Sequence, residues 1–159
     1  MTCSTFAFDW DTGTGDFFDG EITVRGLTFT VTAATNASVF ASATINCTGA
    51  CTVASAVALP QVTAGGDFST SAALTLARLI APAQDLIFFH GANFTLTAYT
   101  AGDWDACNIT SDDASTWGFV NPAAMVVVGI NVQDSNASNA IDATDTCTDG
   151  TGNTNWTFE

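Results

Sequence analysis

The sequence contains no lysine, and Arg25 and Arg78 are its only basic residues apart from a single histidine. Its 16 acidic residues bring the formal net charge to -14 at pH 7. Proteins bind the phosphate backbone of nucleic acids through lysine and arginine, which displace the phosphate counterions. Anionic membrane surfaces attract the same two residue types. The composition therefore predicts that neither nucleic acid nor a membrane is a partner.

Long apolar runs are also missing. No stretch approaches the roughly 18 apolar residues that cross a bilayer as a helix, and the longest compact one spans residues 123–130. The first residues show neither the basic region nor the apolar region of a secretory signal, so we expect no signal peptide. The chain is 47% hydrophobic and only 11% charged, the reverse of the balance that keeps a chain disordered.

Apolar and small polar residues alternate along much of the chain, which is the two-residue period of β-strands. The clearest alternating segments are residues 27–32, 39–45, 51–59, 68–76, 93–99 and 125–133. A short helical turn is expected only within residues 77–85. A chain of 159 residues has the size of one domain, so we predict a single all-β domain over residues 1–159.

Three parts of this domain are predicted. Residues 1–20 mix aromatic residues with Asp and Gly, which indicates an N-terminal cap or arm over one end of the core. Residues 21–100 form a stack of strands, and residues 101–159 form the closing rungs. The abundance of Thr, Val, Ala and Asn favours the stacked coils of a parallel β-solenoid. An antiparallel β-sandwich or jelly roll is the alternative.

The C-terminal part resembles a known class of domain. An alternating strand, Ile130-Asn-Val-Gln-Asp-Ser-Asn-Ala-Ser138, leads into a Gly/Asn/Asp tract that closes on Asn153-Thr-Asn-Trp-Thr-Phe158. Over residues 86–158 this order of segments resembles the terminal rungs of β-solenoid domains in phage virion and tail proteins and in large bacterial surface proteins. The resemblance implies a non-enzymatic structural protein of a bacteriophage virion: a capsid decoration, tail fibre or spike component. A cell-surface or extracellular location is the alternative.

An open stack of coils has unpaired strands at its ends, and these must be capped or joined to another subunit. We therefore expect a homo-oligomer, for which a trimer is one arrangement. Other virion or surface proteins are the expected further partners.

Two tryptophans and two nearby acids suggest an alternative function, a carbohydrate-binding adhesin. The candidate sugar-binding residues are Asp103, Trp104, Asp105 and Trp117, because indole rings stack on sugars and carboxylates accept hydrogen bonds from hydroxyls; the partner would be a host glycan. The other interpretation is that the tryptophans fill the core. Glutamate, the usual general acid of glycosidases, is nearly absent, so we predict no enzymatic activity and no catalytic residue.

Acidic residues near the N-terminus are candidate calcium ligands: Asp9, Asp11, Asp16 and Asp19. They alternate as oxygen ligands do in calcium loops, although the EF-hand spacing is not met. A solvated acidic loop is the alternative, and no cofactor other than calcium is expected.

The five cysteines form an odd set that cannot pair completely within the chain. Cys47 and Cys51 bracket a glycine-containing turn and are the disulfide candidates, and buried free thiols are the alternative. His90 is expected to be structural, because no nucleophile elbow accompanies it and no second tight cysteine pair completes a four-ligand zinc set.

Overall fold

A computed structural model describes residues 21–24, 27–29, 44–54, 57–123 and 125–159 of the chain. Sheet A contains β1 (Glu21–Val24), β3 (Thr44–Cys47), β5 (Val57–Ala64), β7 (Leu74–Ile80), β9 (Asn93–Leu96), β11 (Trp117–Val120), β12 (Met125–Val128), β14 (Ser135–Asp145) and β16 (Thr154–Thr157). Sheet B contains β2 (Leu27–Phe29), β4 (Cys51–Val53), β6 (Phe68–Thr70), β8 (Asp85–Phe88), β10 (Asn108–Ser111), β13 (Asn131–Val132) and β15 (Thr148–Asp149).

Every strand pairing between the described residues is parallel. The chain alternates between the two sheets for most of its length, so that each coil adds strands to both. The fold is therefore a parallel β-solenoid of about 6 turns, as predicted, and not an antiparallel sandwich. The predicted N-terminal cap, residues 1–20, lies outside the described residues.

The described residues contain no helix, and accordingly none with the length and apolarity to cross a bilayer. The prediction of a helical turn within residues 77–85 is wrong. The strand β7 continues to Ile80, and a short turn then leads directly into β8. Pairing of β7 with both β5 and β9 overrides the weak local preference of this segment.

The alternating pattern places every second side chain in the core, and the strand register stacks apolar residues of successive coils. Ile45, Val62 and Leu79 occupy equivalent positions on β3, β5 and β7 and are all buried. Outward-facing hydroxyls pair in the same way, as the 2.9 Å contact between Thr52 Oγ1 and Ser69 Oγ illustrates. Burial of each large apolar side chain contributes about 1.5–3 kcal/mol, so these columns hold the coils together.

Aromatic rings fill the core of the C-terminal coils. The ring centroid of Phe88 lies 4.4 Å from that of Phe94 and also 4.4 Å from that of Trp117. At the end of the stack, Trp156 on β16 lies 6.3 Å from Phe119. Because β16 pairs with β14 and carries this partly buried tryptophan, the C-terminal tail covers the last coil.

Candidate functional site

The two tryptophans of the predicted sugar site lie in the core. Trp104 is 0% exposed, and its Nε1 donates a hydrogen bond to the carbonyl oxygen of Leu79 at 3.2 Å. Trp117 is also 0% exposed, and its Nε1 donates to the carbonyl oxygen of Gln133 at 3.1 Å. A sugar stacks only on an accessible ring face, so the structure argues against a carbohydrate site at these residues and favours the core-filling interpretation.

Asp103 is held in an ion pair. Its carboxylate is 3% exposed and accepts two hydrogen bonds from Arg78, from Nε to Oδ2 at 2.9 Å and from Nη2 to Oδ1 at 2.6 Å. The backbone N–H of Thr100 donates to Oδ2 at 2.9 Å. The hydrogen bond to Asp103 raises the pKa of Arg78. This bidentate pair ties the loop between β9 and β10 to β7.

Of the four predicted sugar-binding residues, only Asp105 is exposed. The adhesin hypothesis therefore loses both of its stacking rings and one of its two acids. Whether these side chains are exposed depends on how the loop packs against the core, and the spacing of the residues in the sequence does not reveal this packing. The candidate calcium ligands Asp9, Asp11, Asp16 and Asp19 lie outside the described residues, so calcium binding stays a prediction.

Cys47 and Cys51 flank the corner at which β3 leads into β4, and both side chains are buried thiols. The side chains of the two cysteines interact with each other. This contact lowers the pKa of Cys47, although burial acts in the opposite direction. The same contact raises the pKa of Cys51, which burial raises further. The corner thus brings the two candidates together as thiols, and the disulfide stays a prediction.

A mixed cluster of one imidazole and two carboxylates lies at the surface, where sequence analysis assigned no site. Nδ1 of His90 lies 3.0 Å from Oδ1 of Asp112 and 3.4 Å from Oδ2 of Asp113. Partial burial alone would raise the pKa of Asp112, but the hydrogen bonds from the His90 backbone N–H and ring, together with the ring's charge, lower it. The adjacent acids at 112 and 113 were the only sequence signal, and nothing local connects them to His90.

Three valines of sheet A are exposed, namely Val120 on β11 and Val126 and Val128 on β12. A shallow cavity of about 430 Å³ is lined by residues that include Val126, Ile141 and Thr157. Val126 and this cavity lie close to the last coil, because β12 pairs with β14 and β14 pairs with β16.

No protein-family model, curated protein or solved structure matches this chain. The evidence for the solenoid fold is therefore the structure alone. The relationship to phage and bacterial surface proteins stays an expectation from the resemblance of residues 86–158.

Proposed function

We propose that this protein is a non-catalytic structural component of a bacteriophage virion, as a capsid decoration, tail fibre or spike component. It acts through assembly and surface contacts. The observation that carries this proposal is the stack of parallel coils, whose closing rungs are the segment with the resemblance to phage solenoid domains.

The continuous core suits a mechanical role. Each coil contacts its neighbours through backbone hydrogen bonds and stacked apolar side chains, so coils support one another along the axis. The aromatic stack around Phe88, Phe94 and Trp117 adds about 0.5–1.5 kcal/mol per ring pair beyond ordinary burial. A module of this kind keeps its shape while its loops face outward.

The C-terminal end of the stack supports assembly. Within the described residues, β15 pairs only with β13 and β16 pairs only with β14. One edge of each strand is therefore without a strand neighbour there, and such edges favour pairing with another chain. We infer that this end contacts a further subunit, which is a second copy of the chain in a homo-oligomer or another virion protein.

The location is tested on purified phage particles. Mass spectrometry of virions from the source of this sequence should detect the protein at many copies per particle, and antibody labelling should place it on the particle surface. Absence of the protein from purified particles would refute the virion assignment, whatever its oligomeric state.

Assembly is tested with two matched lysine variants. Thr157 lies on the edge strand β16, and Thr116 lies in the turn before β11; both are exposed. Light scattering after size exclusion should show an oligomer that is weakened by Thr157→Lys and unchanged by Thr116→Lys, because a lysine on an edge strand opposes edge pairing. The oligomer should also strengthen with salt, which screens the repulsion between acidic subunits. A monomer at all concentrations, or equal effects of the two variants, would contradict self-assembly through this edge.

A further inference from the structure

The cluster of His90, Asp112 and Asp113 is created by the stacking of coils. His90 follows β8, and the two acids follow β10. Because β8 and β10 are neighbours in sheet B, with Phe88 opposite Ser111, the turns that follow them lie against one another. The imidazole nitrogen and one oxygen of each carboxylate all lie within 4.8 Å of one another.

Local hydrogen bonds orient the three side chains. The backbone N–H of His90 donates to Oδ1 of Asp112 at 2.7 Å. The backbone N–H of Ser115 donates to Oδ1 of Asp113 at 2.7 Å, which leaves Oδ2 directed towards the imidazole. The ring of Phe89 lies 4.7 Å from the imidazole. Such supporting contacts are what hold the ligands of metal sites in place.

The cluster contains more acidic than basic groups, because two carboxylates converge on a single imidazole. Arg78, the only arginine in the described ranges, is already paired with Asp103. The side chains of His90, Asp112 and Asp113 are 41%, 32% and 47% exposed, so an ion can reach them from solvent.

We propose that His90 Nδ1, Asp112 and Asp113 bind a divalent transition-metal ion that links two adjacent coils. Metal–ligand bonds of about 2.1 Å place neighbouring ligand atoms roughly 3.0–3.4 Å apart in octahedral or tetrahedral geometry. The two distances from Nδ1 agree with this separation. A nitrogen and two carboxylates suit Zn²⁺ or Mn²⁺, whereas Ca²⁺ and Mg²⁺ prefer oxygen ligands throughout. Water completes the coordination.

The single histidine of the sequence makes the test direct. In protein labelled with ¹⁵N-histidine, one imidazole gives all the ring signals. At pH 7.5, one equivalent of ZnCl₂ should shift the Nδ1 resonance, and MnCl₂ should broaden it, whereas CaCl₂ should do neither. The variant Asp113→Asn should weaken the zinc effect by about tenfold or more.

The matched control is Asp105→Asn, which removes one exposed acidic charge elsewhere and should leave the zinc effect unchanged. Circular dichroism verifies that both variants fold; if Asp113→Asn does not, Asp112→Asn serves in its place. No shift of Nδ1 in the unmodified protein would overturn the proposal. So would equal weakening by the two variants, because zinc would then follow total charge and not the cluster.

Discussion

Replacing Arg78 with methionine is expected to lower the free energy of unfolding by about 2–3 kcal/mol, because it leaves the buried Asp103 carboxylate without its partner. Methionine preserves most of the apolar stem of the arginine, so the effect reports the lost charge and hydrogen bonds. Breaking a fully buried pair costs about 3–5 kcal/mol. The Arg78 side chain is 33% exposed, however, and solvent screens part of the interaction.

Urea unfolding followed by tryptophan fluorescence measures this loss, since Trp104 lies beside Asp103 in the same loop. In a domain of this size, the expected loss lowers the Tm by about 4–12 °C. Adding Asp103→Asn to the Arg78→Met variant should restore part of the stability, because the unpaired buried charge disappears. The control Asp105→Asn should change the unfolding free energy by less than about 0.5 kcal/mol. If Arg78→Met costs no more than that control, the pair behaves as an ordinary surface ion pair and the reasoning fails.

Three further outcomes are expected. The pKa of Asp112 is lowered below its ordinary value of 3.8, so the ionised carboxylate stabilises the fold above pH 3.8. The difference in unfolding free energy between wild type and Asp112→Asn should therefore vanish as the pH falls through the folded-state pKa. A difference that grows on acidification would refute the lowered pKa. A Cβ added at Gly66 would lie 2.7 Å from the backbone carbonyl carbon of Gly49 in the adjacent coil. Gly66→Ala should therefore lower the free energy of unfolding by about 1–3 kcal/mol, as measured by thermal or urea unfolding. An unchanged stability would show that the two turns are not tightly stacked. Mild oxidation with glutathione disulfide should link Cys47 to Cys51, with the loss of two hydrogens in the intact mass. The variant Cys51→Ser should abolish this product. Persistence of both free thiols when the oxidant is added together with a denaturant would contradict the pairing.

Strand formation was predictable because it depends on local alternation. Leu74, Leu76 and the polar residues around them show the two-residue period in the sequence itself, and β7 is found there. The same alternation is compatible with a sandwich and with a solenoid. The choice lies in long-range pairing, such as that of Leu74 with Phe94, and no local pattern determines it.

The candidate sites, unlike the strands, could not be predicted from local sequence. The spacing of Asp103, Trp104 and Asp105 suggested a surface for sugars, yet the ion pair with Arg78 and the hydrogen bond to Leu79 hold most of this loop against the core. The contact of His90 with Asp112 joins residues 22 positions apart. It exists only because one coil places its turn beside the turn of the next coil.

The sequence by itself determined that the chain forms strands, that these strands carry an apolar and a polar face, and that positive charge is scarce. These properties follow from residue type and from the period of side-chain direction along an extended backbone. The tertiary structure alone decided which residues of distant coils meet, which tryptophans are buried, and where an imidazole faces two carboxylates. Coil lengths differ along this chain, so register, and with it every contact between coils, is set by the packing of the whole stack.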